Sequence, residues 1–450
     1  DPRQQRMSMP KLLSALLATT LLGPTTRAQP EPPILKASSR TVQIMDGGKP
    51  MRGEWLLDPS VELDVYDAFR ADQPKTVTVT TDIDSKSFEV EPGHVYDFVI
   101  LLNGKDECKT RISTMTQSYT RAATANATGP VTIPITIQKG KLHLSGRING
   151  SQPLDLIFDT GADTCAMYPS ARSKGAAMTF DGTVKNAGSG GITVRQISRD
   201  NRLDIADVHW THEPFIFIEK QADDADGIIG YPVFESRIVE FDYDRMLLVV
   251  HDSIPAHAAG FTRTAMPYAG TLTAVEVLMT SGESTWRGPF ILDTAGNGTM
   301  LVNQAFATAH DMHSVLRKVG TSVSRGLGSG SIHSNQLMLP RLQLAGHALT
   351  DVPINVEVPS EGNKAPPGGV LCMDVLARFN TILDYPSNQA YFKPNARFAE
   401  PFRVRGSGPP LVLICAVAGG AMLLAAWAIV HRAKAKRASS LANRSAVPKS

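Results

Sequence analysis

Leu156-Ile157-Phe158-Asp159-Thr160-Gly161 is an apolar run that ends on a carboxylate, a hydroxyl and a glycine, and Phe290-Ile291-Leu292-Asp293-Thr294-Ala295 answers it. Downstream of the first stand Gly227-Ile228-Ile229-Gly230 and then Val239-Glu240-Phe241-Asp242-Tyr243. Downstream of the second stand Gly369-Val370-Leu371-Cys372 and then Thr381-Ile382-Leu383-Asp384-Tyr385. Asp159 to Asp242 is 83 positions and Asp293 to Asp384 is 91, so the order of elements is kept and the loops differ by eight residues. Each half also holds a Gly-rich hairpin candidate between its motifs, Gly188–Gly191 and Gly326–Gly330. A repeat on this scale predicts two β-rich lobes of like plan, residues 131–257 and 258–400.

Short apolar runs bounded by glycine and turn residues read as buried strands. A strand ending in Asp-Thr-Gly puts its carboxylate on a tight loop. Gly161 has no Cβ, so the backbone can bend there and approach a ligand closely. Thr160 offers a hydroxyl to the facing loop. Duplication brings Asp159 and Asp293 together about a pseudo-twofold axis, where two like charges share one proton. The neutral acid donates to a carbonyl oxygen while the ionised one takes a proton from a bound water. Such hydrolysis calls for no metal and no cofactor, and neither is expected.

Asp159-Thr160-Gly161 extends to Ala162-Asp163-Thr164, has an Ile-Ile-Gly partner and recurs in a second half. With these features the chain resembles the aspartic proteases, in detail the retropepsin-like family of bacterial aspartyl proteases. The resemblance covers both lobes and is most specific in the first. It implies a mainly β, bilobal fold of double-ψ β-barrel lobes and a polypeptide substrate. It implies that Asp159 and Asp293 are catalytic. It also implies that Thr160, Gly161, Ala162, Asp163, Thr164 and Thr294 shape the loops or bind substrate backbone, with Ile228, Ile229 and Gly230 supporting the first loop. Both half-sites lie in one chain, so a monomer suffices.

Lobe 2 departs from the family pattern twice. Ala295-Gly296 stands where Gly-Ala or Gly-Ser is usual, and Cys372 stands where Gly is usual. A methyl at 295 penalises positive φ; either it narrows the cleft or Gly296 takes over the bend. Cys372 reads as a small buried packing residue. These changes motivate an alternative, a catalytically degenerate binding protein for peptides or envelope polymers on the same scaffold. Asp242 and Asp384, each ending an apolar strand before Tyr, read as turn residues.

Composition removes other classes. In 450 residues, Lys plus Arg exceed Asp plus Glu by a net charge of +2, which gives no electrostatic case for nucleic acid. Four Cys make no disulfide scaffold. No Cys or His set has zinc spacing, and His310 and His313 lack a carboxylate partner at metal spacing. No Gly-x-Ser-x-Gly elbow occurs, and the Gly-rich runs follow no βα pattern that would cradle phosphate.

Residues 38–120 alternate apolar and polar, as in Thr76-Val77-Thr78-Val79-Thr80 and Tyr96-Asp97-Phe98-Val99-Ile100-Leu101-Leu102. Asn103-Gly104 after that second run is a hairpin signal, so a small all-β domain precedes the lobes. The small, polar stretch 121–130 reads as a linker. Lys11, the apolar run Leu12–Leu22 and Thr26-Arg27-Ala28 read as a signal peptide over 1–28, with Gln29 as the mature start. Leu411–Val430 carries no charge and is long enough for one transmembrane helix. His431, Arg432, Lys434, Lys436 and Arg437 place the tail 431–450 in the cytoplasm. Both ends predict a single-pass inner (plasma) membrane protein with extracytoplasmic lobes, periplasmic in a Gram-negative cell.

Overall fold

Val95–Leu102 buries Phe98, Ile100 and Leu102, every second residue, as a strand with one face on a core must. Asn103 and Gly104 take positive φ of 55° and 70°. Asp106–Ser113 then returns antiparallel, with Asp106 opposite Leu102. Ile34–Ala37 and Asp64–Asp67 flank this hairpin in parallel to complete a four-stranded sheet. A second sheet is led by Thr41–Asp46, Lys75–Thr80 and Ser85–Val90. Leu35, Ile100 and Ile112 of the first share one core with Ile44, Val77 and Val79 of the second, so the sheets pack face to face. The computed structural model describes residues 31–51, 55–68, 74–114, 118–121, 129–188, 191–221, 224–325, 331–358, 368–404 and 412–414.

The boundaries of this first domain differ from those expected at 38 and 120. Ile34–Ala37 already belongs to its sheet. Ser118–Arg121 has left it and pairs with Val208–Thr211 of the first lobe. The composition of 121–130 marks a linker, but 122–128 lie outside the described residues.

Both lobes use one interlocked trio of strands. Leu154–Asp159 runs parallel to Gly227–Gly230, with Asp159 opposite Gly230, and Cys165–Met167 runs antiparallel to that same strand. In lobe 2, Ser284–Leu292 lies parallel to Gly369–Leu371, and Met300–Val302 lies antiparallel to it. Strands covered on both faces read as unbroken apolar runs. That is why Leu156, Ile157, Phe158, Phe290, Ile291 and Leu292 show no alternation, and all six are buried. The glycines that open the partner strands permit this interlocking. A Cβ on Gly227 would stand 2.6 Å from Ala166 O, and one on Gly369 1.9 Å from Leu301 O.

Six strands join the lobes, in the order Val131–Gln138, Leu247–His251, Ile238–Asp242, Phe379–Asp384, Gln389–Pro394 and Thr262–Ala265. The central pair is antiparallel, with Val239 opposite Leu383, Glu240 opposite Ile382 and Phe241 opposite Thr381. In the repeat, Glu240 corresponds to Ile382, so the pseudo-twofold axis passes between them. A single hydrophobic core runs through both lobes and contains Phe158, Phe241, Phe290 and Phe379. Asp242 and Asp384 close turns beside this sheet: Arg245 N–H donates to Asp242 Oδ1 at 3.0 Å, and Ser387 N–H donates to Asp384 Oδ1 at 3.1 Å.

Gly182–Gly188 and Gly191–Ser198 form the first Gly-rich hairpin, with Gly188 opposite Gly191. Arg317–Arg325 and Ile332–Leu344 pair likewise in lobe 2, and the second Gly-rich run, 326–330, lies outside the described residues. Residues 1–28 and 431–450 also lie outside them. Of the expected membrane helix, 411–430, only Val412–Ile414 is described. It is a short strand parallel to Val323–Arg325 and no turn of helix. Val412 and Ile414 are β-branched, and the neighbouring strand offers backbone partners. Among the described residues no helix is long and apolar enough to cross a membrane.

Candidate active site

The parallel strands of each trio end together, which delivers Asp159 and Asp293 to the junction of the lobes, both with no exposed surface. Each carboxylate is held by its own loop. Gly161 N–H donates to Asp159 Oδ1 at 2.8 Å, and Ala295 N–H donates to Asp293 Oδ1 at 2.8 Å. The threonines lock the two loops across the axis. Thr160 N–H donates to Thr294 Oγ1 at 3.0 Å, and Thr294 N–H donates to Thr160 Oγ1 at 3.2 Å. Each hydroxyl then donates into the opposite lobe, Thr160 to Leu292 O at 2.7 Å and Thr294 to Phe158 O at 2.6 Å. Buried polar groups cost heavily when unmatched, so this four-bond lattice fixes the loops in one relative position.

Neither outer oxygen, Asp159 Oδ2 or Asp293 Oδ2, meets a donor among the described residues. The two carboxyl groups nevertheless interact directly. Two acceptors can be joined only by a shared proton or a bridging water. Burial raises Asp159 well above the usual carboxylate range; repulsion from Asp293 adds to this, and the Gly161 N–H opposes it. Burial also pushes Asp293 up to about 6, against the pull of the Ala295 N–H, the Asp159 carboxyl, the Gly296 N–H and Lys141. Such a pair loses its protons in two coupled steps, with a singly protonated form between them.

The altered residues of lobe 2 fit without distortion. Neither Ala295 nor Gly161 has a positive φ, so the added methyl meets no backbone penalty. It is buried in an apolar cluster with Ala162, Tyr168 and Ile228 of lobe 1. Gly296 corresponds to Ala162. Tyr231 N–H donates to Ala162 O and Met373 N–H to Gly296 O, both at 3.0 Å. A Cβ on Gly296 would lie 2.7 Å from Cys372 Sγ and 2.9 Å from Asp293 Oδ2. Cys372 is extended at φ −103°, much as Gly230 is at −77°, so its position demands no glycine. Lobe 2 has exchanged its small residues: the bulk missing at 296 is present at 372. Cys372 is buried, as its sequence context predicts.

Around the loops, Thr271 donates its hydroxyl to Asp163 Oδ2 at 2.5 Å, so a lobe-2 hairpin grips the lobe-1 loop. Thr164 Oγ1 reaches Asp163 Oδ1 at 3.3 Å. The converse grip comes from lobe 1. Leu142 N–H donates to Thr294 O at 3.0 Å, and a Cβ on Gly140 would meet Asn297 Oδ1 at 2.7 Å. The Asp motifs alone do not point to Thr271, Lys141 or Asn297. A third repeated unit does: Lys139-Gly140-Lys141-Leu142 answers Ala269-Gly270-Thr271-Leu272. His310 packs on Phe306 with ring centroids 4.4 Å apart, and His313 bonds Glu357 O at 2.9 Å. Among the described residues no group of three or more His, Cys, Asp or Glu is placed to hold a metal.

Two aspartates on mirrored, threonine-locked loops, at the junction of two β lobes, define an aspartic-protease-like site. Residues 144–233, which carry the Asp159 loop and its Gly230 partner strand, match the family model described as aspartyl protease. This match supports an aspartic protease family assignment. No curated protein gave a significant match. Among solved structures, the crystal structure of the aspartic proteinase from Irpex lacteus is similar at 11% identity and a TM-score of 0.42, over 60% of this chain and 99% of that one.

Proposed function

We propose that the protein is an aspartic endopeptidase that hydrolyses peptide bonds with a water activated between Asp159 and Asp293. The observation that carries this is the pair of buried carboxyl groups whose outer oxygens meet no donor among the described residues, on loops fixed by matching bonds. A water held between those oxygens gives a proton to the ionised carboxylate as its oxygen bonds to the peptide carbon. The protonated partner delivers its own proton to the carbonyl oxygen. Collapse of the tetrahedral diol expels the amine, whose nitrogen takes the proton of the protonated carboxyl while a diol hydroxyl gives its proton to the ionised one, so the pair again holds one proton. Thr160, Gly161, Ala162, Asp163, Thr164 and Thr294 shape this floor or hold substrate backbone, and the lobes are read as double-ψ barrels acting as a monomer.

The binding-only alternative rested on Ala295 and Cys372, and it loses its motive where both residues fit a loop bonded like its partner. Secretion and anchoring remain part of the proposal, on the strength of residues 1–28 and the uncharged run 411–430. The deciding experiment is cleavage of a denatured protein at mildly acid pH, with and without a transition-state inhibitor of aspartic proteases. Inhibitor-sensitive cleavage is expected, and its absence from folded, pure protein would refute the enzyme reading. Protease added to spheroplasts should digest the lobes and spare the tail; protected lobes would refute the topology.

A further inference from the structure

Lys185, on the Gly182–Gly188 strand of the first-lobe hairpin, reaches out of its own lobe: its Nζ lies 2.5 Å from Asp58 Oδ2 of the N-terminal β domain. The acid is prepared for it. Ser60 donates its N–H and its hydroxyl to Asp58 Oδ1, at 2.9 and 2.6 Å, which leaves Oδ2 for the lysine. Lys185 is 25% exposed and Asp58 21%, so water screens this pair less than one on the open surface. The hairpin also meets the dyad loops. Ile197 belongs to the apolar cluster that holds Ala162 and Ala295, and Val184 packs against it. The N-terminal domain is fastened to lobe 1 a second time. The chain leaving it, Ser118–Arg121, lies on Val208–Thr211, and the Arg237 guanidinium sits 3.9 Å from the centre of the Tyr119 ring. Between the domain and the foot of the hairpin lies a cavity of about 260 Å³, with Val65, Asp67 and Ser113 on one side and Asp181, Arg199 and Pro214 on the other.

We propose that the N-terminal β domain is a brace for the 182–198 hairpin, with Asp58 and Lys185 as positioning residues: their ion pair holds the hairpin beside the dyad loops in the arrangement that receives substrate. The effect on cleavage rests on the endopeptidase reading; the effect on the hairpin does not. A two-stranded hairpin is marginal by itself. Here Ile197 and Ser198 pair with Ile216 and Phe215, and beyond them the two strands pair with each other. Burial works against the charge on Asp58, yet the bonds from Lys185 and Ser60 hold it at about 2, so the pair stays ionised in mildly acid solution. Asp64 also feels Lys185 and Arg199, but burial pushes it up to about 6, which leaves Asp58 as the charged partner there. A hairpin released from Asp58 must be ordered again when substrate arrives, and that cost falls on KM. The threonine lattice that holds the carboxylates is untouched, so kcat is spared.

The test compares the full wild-type chain with Asp58→Asn, Lys185→Met, the two combined, and Lys185→Arg. Hydrogen exchange of the amides at 182–198 should quicken by up to about fivefold in each single neutral variant. KM should rise by a like factor while kcat holds. The combined variant should be no worse than either single, because both remove one bond, and Arg should stay near wild type. Single variants whose hairpin exchanges as wild type does overturn the proposal, and so do losses that add in the combined variant. Exchange that quickens alike over the whole chain overturns it too, since that reports general loosening. If wild type cleaves nothing, the endopeptidase reading falls, and hydrogen exchange still decides the brace.

Discussion

At the Asp159 loop glycine stands at 161 and alanine at 162; at the Asp293 loop alanine stands at 295 and glycine at 296. The strand facing the first loop ends in Gly230, and the residue equivalent to it in lobe 2 is Cys372. Despite three differences in this small volume, each loop N–H reaches its carboxylate at 2.8 Å and each Thr hydroxyl crosses to the opposite lobe. What is kept is the backbone path and the hydrogen-bond pattern. The alanine and glycine of the two loops have traded places, and the thiol of Cys372 occupies space beside Gly296 that a side chain at 296 would need, so the path survives the changes.

The comparison can be broken most severely at the carboxylates. Asp159→Asn and Asp293→Asn should each reduce cleavage by about a thousandfold, and comparable losses would make the loops equal partners. A purified Asp293→Asn variant with wild-type turnover would leave lobe 1 as the only active half. Stability should move the other way. Burial raises both carboxyls, so folding favours their protonated forms. Their contribution is full below the ordinary aspartate range and is lost as pH rises through the folded values, about 6 for Asp293. Each Asn variant should therefore melt higher than wild type at pH 7.5, with the gap closing near pH 4, as calorimetry can follow.

The size exchange offers a sharper probe. Gly296→Ala should cost roughly 1–3 kcal/mol through its clash with Cys372 and Asp293, and about tenfold or more in turnover as Asp293 is displaced. Gly296→Ala combined with Cys372→Gly restores the lobe-1 pairing of Ala162 with Gly230, with Ala295 left in place, and should recover most of both losses. A double variant no better than the single would show that the two positions do not compensate. Next in size, Thr160→Val or Thr294→Val should cost about 1–3 kcal/mol by stranding a buried N–H. The double variant should fall short of additivity, measured by urea unfolding, because the two side chains share one lattice. The smallest effect belongs to Thr271→Val, about 1 kcal/mol for its bond to partly buried Asp163. A loss as large as that at Thr160 would mean the hairpin grip matters as much as the threonine lock.

The sequence displays some of this architecture and conceals the rest for definite reasons. Leu156–Asp159 and Phe290–Leu292 announce themselves because strands covered on both faces must be apolar throughout. Asn103-Gly104 announces its hairpin because few residues accept positive φ. By contrast, Ile34–Ala37 pairs with Val99–Leu102, and Ser118–Arg121 pairs with Val208–Thr211. Alternation reveals that a segment is a strand but not which distant strand receives it, so the domain edges moved. The same limit hides the match of Gly296 with Cys372, which are remote in sequence and adjacent in space.

The six strands that bridge the lobes carry one further consequence. Where two half-sites come from separate subunits, the fraction assembled obeys mass action, and dilution dismantles the catalyst. Here the equivalent seam, Ile238–Asp242 against Phe379–Asp384, lies within a single polypeptide, continuous with strands on either side. Its two halves face each other at an effective concentration that the bulk amount of protein cannot change. Turnover per molecule is therefore expected to be flat from micromolar to picomolar enzyme, which a dilution series of initial rates checks.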